Sequence, residues 1–220
     1  MIAIAVPGSG GSPSLSYEQR LWAQGLLVVA GIDEVGRGSL LASVVAAAVV
    51  LPPGTFIEGV RDSKALSPSR RETLYDIIEK AALGCGIGAV DAETIDRMNI
   101  KQAARLAMRL AVEDLGFRPD HLLVDAETVP CFIPQTPIVH GDALCHSIAA
   151  ASIVAKVARD RMCEVWHEQY PEYNIRAHKG YCTREHVQAI LKYGPCPLHR
   201  RTFLTRILAR HSGERLDLEF

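Results

Sequence analysis

The sequence predicts a single α/β domain, helices layered on a mixed sheet, and three observations carry that prediction. Five short apolar runs have the length and continuity of buried strands: Leu26 to Ile32, Ser43 to Leu51, Gly84 to Val90, His121 to Asp125, and Ile138-Val139. Stretches with helical apolar spacing separate the later runs. The first two runs are joined by a link in the hairpin range, so an antiparallel pair opens a sheet whose remaining strands alternate with helices.

The bulk composition agrees. A chain of 220 residues that is 48% apolar can fill one core. With 24 basic and 25 acidic side chains the net charge is −1, so any nucleic-acid binding must come from a local patch. The six cysteines form no C-x-x-C pair and no zinc-like spacing, and read as free thiols in a reducing compartment. The apolar run Ile2 to Val6 is too short for a secretory signal core, and no run approaches the ~18 residues of a membrane span. A cytoplasmic monomer with no membrane association is expected.

Taken in order, residues 1–25 form a leader and a short helix. Pro7 to Ser16 is Gly/Ser/Pro-rich and expected to be mobile; Tyr17 to Gln24 is helical, with Gly25 ending it. The strand Leu26 to Ile32 runs into Asp33-Glu34 and then Gly36-Arg37-Gly38. The strand Ser43 to Leu51 closes on Pro52-Pro53-Gly54. After the polar loop Arg61 to Lys64, Ser67 caps a helix with Pro68 in its first turn, and Leu74, Ile77, Ile78, Ala81 and Ala82 form its apolar face. Gly84-Cys85-Gly86-Ile87-Gly88 resembles a dinucleotide fingerprint only in its glycines, because it lies within a strand instead of opening a helix. Ile100 to Leu115 is a helix stopped by Gly116, and a long helix covers Ala143 to His167, with Ala149-Ala150-Ala151 and Ala155 allowing close packing. The region from Glu168 is turn-rich and basic, with a helix after Thr183 and another over Phe203 to Ala209.

Three apolar runs end in acids: Asp33 and Glu34 after the first, Asp125 after the fourth, and Asp142 just beyond the fifth. Strand ends are where sites gather in layered α/β folds. Taken singly, Asp142 also fits a helix cap and Asp125 a turn. Together the four would raise one another's pKa unless a cation neutralised them. Carboxylate oxygens without a Cys/His set select Mg²⁺ or Mn²⁺ over zinc. Two such ions ~4 Å apart activate a water and stabilise a leaving oxygen in phosphoryl transfer.

Several motifs resemble the ribonuclease HII family, the bacterial type 2 ribonucleases H. They are Gly31 to Gly38, Asp62-Ser63-Lys64, Leu123-Val124-Asp125, Gly141-Asp142, Ile148 to Lys156 with Arg159-Asp160-Arg161, His178-Lys179-Gly180-Tyr181 and His199-Arg200. They occur in the family's order across about residues 26 to 205. The resemblance implies an RNase H-like fold over residues 26–210, with C-terminal substrate-binding helices, and a tail at 211–220. It implies metal-dependent cleavage of RNA in RNA–DNA hybrids and incision 5′ of single ribonucleotides in duplex DNA, leaving 3′-OH and 5′-phosphate ends. Asp33, Glu34, Asp125 and Asp142 would hold the metal, Mn²⁺ or Mg²⁺. Gly36, Arg37 and Gly38 would line the ribonucleotide, Lys64 would meet the phosphate backbone, and Tyr181 would stack at the RNA–DNA junction. His178, Lys179, Arg184, Arg200 and Arg201 could supply the local basic patch.

Two segments depart from the family pattern. Ser39-Leu40-Leu41-Ala42-Ser43 stands where Pro-Leu-Ala-Gly-Pro is usual, and Cys182 replaces a glycine after Tyr181. If position 182 requires positive φ, Cys182 is strained. Ribonuclease HIII carries an additional N-terminal domain, for which the ~25 residues before the first strand are too few. A catalytically silent nucleic-acid-binding module is the alternative from another class; four retained acids would repel a phosphate backbone without metal. The tail Arg215 to Phe220, with leucines at 216 and 218, resembles sliding-clamp-binding peptides, with a plain disordered tail as the competing reading.

Overall fold

A computed structural model describes residues 12–212. Its strands are β1 (Val29–Val35), β2 (Val44–Val50), β3 (Gly84–Val90), β4 (His121–Asp125) and β5 (Gln135–Ile138), in the spatial order β3-β2-β1-β4-β5. β2 pairs antiparallel with both β1 and β3, whereas β4 runs parallel to β1 and to β5. The sheet is therefore mixed, as expected.

The helices are α1 (Ser16–Trp22), α2 (Pro68–Ala81), α3 (Ala92–Met98), α4 (Ile100–Asp114), α5 (Gly141–Leu144), α6 (His146–Gln169), α7 (Ile175–His178), α8 (Arg184–Tyr193) and α9 (Arg201–Ser212). One face of the sheet packs Ala30, Ile32, Ala46, Ala48, Leu122 and Val124 under α4. The other packs Ala47 and Val49 against α2 and the alanines of α6. A third cluster joins Leu40, Leu41 and Ala42 to Tyr173, Ile175, Ile190 and Leu204, tying the C-terminal helices to the β1–β2 link.

Small residues set the layer spacing. A Cβ on Gly31 would overlap the backbone of Ser147, so β1 and the start of α6 are in direct backbone contact. Gly86 and Gly88 meet the backbone of α4 in the same way. The β3 glycines therefore serve close helix packing, and the strand assignment holds.

Several expectations about elements need correction, among them β5, which spans Gln135–Ile138 and not Ile138-Val139. β1 does not stop at Ile32: Asp33 and Glu34 lie within it, opposite Ala47 and Ala46 of β2. The long helix is broken at Cys145, whose backbone is extended (φ −115°, ψ 125°). α3 lacks a strong apolar face and was not foreseen; Asp91 caps it by accepting from the Thr94 N–H at 2.8 Å. The end of the mobile stretch is ordered, since the Ser14 N–H donates to Leu144 O at 3.1 Å and Ser14 O accepts from His146 N–H at 3.1 Å.

The break at Cys145 has a distant cause. Glu18 of α1 is buried, and its Oε1 accepts from the Ser147 N–H at 2.8 Å and from the Ser147 hydroxyl. A carboxylate at a helix N-terminus satisfies an otherwise orphaned donor and complements the dipole. Here the cap comes from far away in sequence, so no local signal announces it.

Candidate active site

The carboxylates gather at one end of β1 and β4. The paired residues Ile32 and Val124 both face α4. Side chains alternate along a strand, so the next residues, Asp33 and Asp125, both face α6. Asp142 follows in the first turn of α5. Asp33 is only 7% exposed and Asp142 9%.

Each acid has a defined environment. The Asp33 Oδ1 accepts from the Glu34 N–H at 2.8 Å. The Glu34 Oε1 takes the Arg37 Nη1 at 3.1 Å, while its Oε2 is buried with no hydrogen-bond partner. The Asp125 Oδ1 accepts from the Gly141 N–H at 2.7 Å. A Cβ at position 141 would lie 2.6 Å from the Ile148 Cδ1, so a larger residue there would have to displace the tip of the Ile148 side chain. The Asp142 Oδ2 is 3.9 Å from the Lys64 Nζ, an otherwise solvent-exposed ammonium.

Burial, then Glu34 and Asp125, push the Asp33 carboxyl well above its ordinary range, although Ser152 and the Glu34 N–H partly oppose this. Burial raises Glu34 against the opposing Arg37, with Asp125 and Glu127 adding to the rise. Burial, then Asp125 and Asp62, raise Asp142. Burial pulls the Lys64 ammonium down, but Asp62, Asp142, Asp33 and Asp125 together hold it above its usual value. Asp125 thus acts on Asp33, Glu34 and Asp142 alike, which makes the four a single electrostatic unit.

Among the described residues no three His, Cys, Asp or Glu side chains already form a closed metal cage. The donor set nevertheless fits a hard divalent cation, which commonly takes one or two carboxylates and completes its shell with water and substrate phosphate. The partnerless Glu34 Oε2 and the three raised carboxyls are what a site lacking its counter-charge would show.

Lys64 stands on a one-turn 3-10 segment, Ser63–Ala65, capped by Asp62. The Ser63 and Ser152 hydroxyls are hydrogen-bonded at 2.9 Å, which pins this turn to α6. Gly36 and Gly38 differ in role. Gly36 has φ +91°, and a Cβ there would overlap the Arg159 guanidinium; Gly38 has open space around it. Only Gly38 leaves the backbone approachable, while Gly36 is required by the turn and by Arg159. Arg37 bonds Glu34 and lies 3.9 Å from Glu127. Tyr181 is 40% exposed, with the Arg159 Cζ 5.9 Å from its ring centroid.

The basic patch is smaller than expected. Arg200 is fully buried and His178 nearly so. Lys179 pairs with Glu164 at 2.8 Å, leaving Arg184 and Arg201 as its exposed members. Arg159 and Arg200 are instead internal struts. Arg159 donates from Nε to Ser43 O at 3.1 Å and from Nη1 to Lys179 O at 2.9 Å. Arg200 donates from Nε to Ala42 O at 2.9 Å and from Nη1 to Arg37 O at 2.9 Å. Burial, then Arg159, lowers Arg200 to about 9.

These struts bear on both departures from the family pattern. Ala42 sits at φ +63°, the left-handed region that favours glycine. It is held there by its own N–H to Leu198 O at 2.7 Å as well as by Arg200. Cys182 has no positive φ; Lys179 and Gly180 take the left-handed conformations instead. The condition for strain at Cys182 is therefore not met. Ser152 and Arg159 were not given site roles from sequence, and Arg200 was expected only in the basic patch, although all three lie in or beside the motifs quoted above. The tail Arg215 to Phe220 lies outside the described residues.

The comparisons with known proteins identify the family. The family profile described as Ribonuclease HII matches residues 30–206. The chain is 54% identical over 200 residues to "Ribonuclease HII" of Alkaliphilus metalliredigens, covering 88% of this chain and 98% of that protein. It is 48% identical over 202 residues to the protein of the same name from Alkaliphilus oremlandii, covering 89% and 100%. The fold is similar to the crystal structure of ribonuclease H2 from Pyrococcus horikoshii OT3, with TM-score 0.70, 26% identity, and coverage of 84% and 98%. The chain belongs to the ribonuclease HII family, and is a nucleic-acid-binding, divalent-metal-dependent RNase H endonuclease.

Proposed function

We propose that the protein incises 5′ of a ribonucleotide, both in RNA–DNA hybrids and at single ribonucleotides within duplex DNA, leaving 3′-OH and 5′-phosphate ends. The placement of Asp33 and Asp125 side by side on one sheet face supports the metal-dependent hydrolysis, and the family membership supports the ribonucleotide substrate. Asp33, Glu34, Asp125 and Asp142 hold two Mn²⁺ or Mg²⁺ ions. When bound, the ions neutralise the acids, activate water and stabilise the leaving oxygen.

The remaining residues bind and orient. Lys64, held beside Asp142 on its pinned turn, meets a phosphate next to the cleaved bond. The open backbone at Gly38 approaches the 2′-OH, the group that separates a ribonucleotide from its deoxy counterpart. The exposed Tyr181 ring stacks beneath the next sugar and favours one without a hydroxyl. Arg37 lines the ribonucleotide from its ion pair with Glu34.

The test is a duplex with one ribonucleotide, incubated with and without Mn²⁺ beside Asp33→Asn, with the product ends identified. A metal-dependent nick lost in the variant is expected. Cleavage without metal, or an undiminished variant, would sink the proposal. The tail is proposed to bind a sliding clamp on the spacing of Leu216, Leu218 and Phe220 alone; unchanged clamp affinity after deleting the last five residues would dispose of it.

A further inference from the structure

Three buried histidines lie behind Tyr181, and none belongs to the carboxylate site. They are His178, His186 and His199, at 7%, 0% and 3% exposure. His178 and His186 stack with centroids 4.2 Å apart, and His199 meets the Tyr173 ring edge-on at 5.0 Å.

Their hydrogen bonds fix each tautomer. The Cys196 backbone N–H can only donate, and it reaches the His199 Nδ1 at 3.0 Å. The His199 Nδ1 is therefore a lone pair and its Nε2 carries the proton. That Nε2 is 3.2 Å from the His186 Nε2, which must accept. The His186 proton then sits on Nδ1, which donates to Tyr181 O at 3.0 Å. A one-way relay runs from the Cys196 N–H through His199 and His186 to the Tyr181 carbonyl.

His178 holds the N-terminal side of the same residue. Its Nδ1 accepts from the Gly180 N–H at 3.1 Å, its Nε2 donates to Tyr173 O at 2.7 Å, and its own carbonyl accepts from the Tyr181 N–H at 2.9 Å. Tyr181 thus carries an exposed ring on a backbone held at both ends by buried groups. Burial lowers His186 and His199 to about 4, in keeping with neutral rings around neutrality.

We infer that His186 and His199 are positioning residues whose directed hydrogen-bond relay holds the Tyr181 backbone, and so sets discrimination between a single ribonucleotide and a continuous RNA strand. The inference rests on the proposed stacking role of Tyr181. The relay acts on selectivity because a deoxyribose follows a single ribonucleotide at the stacking position, whereas a hybrid presents a ribose there. A loosely held ring loses its advantage chiefly on the first substrate.

The experiment measures kcat/KM on a single-ribonucleotide duplex and on an RNA–DNA hybrid, both with Mn²⁺, together with melting temperature. His186→Leu removes the side-chain donor to the Tyr181 carbonyl, leaving only the Thr183 N–H at 2.8 Å, and the selectivity ratio is expected to fall about five- to tenfold, the range of one lost hydrogen bond. His186→Asn places an amide N–H near the same atom and should return the ratio to within about twofold of wild type. His199→Leu leaves the last bond intact and should lower the ratio about two- to threefold. Tyr181→Ala separates the two levels of inference. If it leaves the ratio unchanged, the stacking role falls and the relay's function with it. If it lowers the ratio while His186→Leu does not, the relay inference alone is overturned. Equal losses on both substrates that Asn does not rescue also overturn it, by reducing the histidines to a general scaffold.

Discussion

Replacing Asp33 by asparagine should stabilise the metal-free protein while abolishing its activity. Asp33 is buried among like charges, with Glu34 and Asp125 both raising its pKa after burial itself. At an effective dielectric constant of ~20, two unit charges repel by about 4 kcal/mol at 4 Å and about half that at 8 Å. Lys64 offsets part of this for the Asp33 carboxylate. The net is on the order of one repulsive contact, about 2 kcal/mol. The asparagine side chain would keep an oxygen to accept from the Glu34 N–H, so the 2.8 Å bond need not be lost. At the usual about 2–4 °C per kcal/mol for a chain of this size, the metal-free melting temperature should rise by about 4–8 °C. Saturating Mn²⁺ should reverse the order. A ligand at a hundred times its Kd adds about 2.7 kcal/mol to the wild type and much less to a variant with a crippled site. Cleavage should fall by about 10² to 10⁴, the equivalent of several kcal/mol of lost metal-assisted stabilisation. Melting curves with chelator and with Mn²⁺, beside a nicking assay, settle the matter. A variant that melts lower than wild type in chelator, or gains as much from Mn²⁺, refutes the electrostatic account of the site.

Acid should act on the histidine relay in the opposite sense to the carboxylates. Unfolded His186 and His199 protonate near 6.5 but the folded rings only near about 4, so the unfolded state holds more protons in between and stability falls as pH drops through that window. The ceiling is about 3 kcal/mol per histidine. Asp33, Glu34 and Asp142, all raised, add stability on acidification, so the difference between wild type and His186→Asn/His199→Gln isolates the relay. Denaturant titrations from pH 7 to 4 should show a shallower acid loss in the double variant; parallel curves would refute the neutral-tautomer assignment. Gly36→Ala, at φ +91° against Arg159, should destabilise by about 2–3 kcal/mol, read by denaturant titration. Gly38→Ala, with open space, should leave stability within about 0.5 kcal/mol yet lower cleavage beside a ribonucleotide. Equal stability of the two variants would contradict the separate roles given to these glycines.

The sequence made most elements legible and one class of residue opaque. β3 and β4 lie at the bounds their apolar runs mark, and Ser67 caps α2, accepting from the Arg70 N–H at 3.3 Å. Reading β1 as ending at Ile32 followed from the polarity of Asp33 and Glu34. Backbone pairing with β2 ignores that polarity, and the Asp33 side chain turns into the site instead of into the core. All four acids were nameable in advance because each sits where an apolar run gives out. The internal role of Arg159 and Arg200 was not, since a strand-end rule looks for acids and an arginine reads as surface. Their burial follows from unpaired loop carbonyls at Arg37, Ala42, Ser43 and Lys179, which no local pattern reveals. The capping of α6 by Glu18 was invisible for the same reason: its donor and acceptor are 129 residues apart.

The parallel pairing of β1 with β4 has a consequence for how this nuclease comes into being. The β1–β2–β3 meander can form early from nearby segments, but Asp33 gains Asp125 only once the chain beyond α4 returns to the other edge of β1. Asp142 then arrives with α5. Half-made chains keep Asp125 and Asp142 away from the adjacent Asp33 and Glu34, and so lack the complete carboxylate set. The complete four-acid site is thus one of the last features of the fold to assemble.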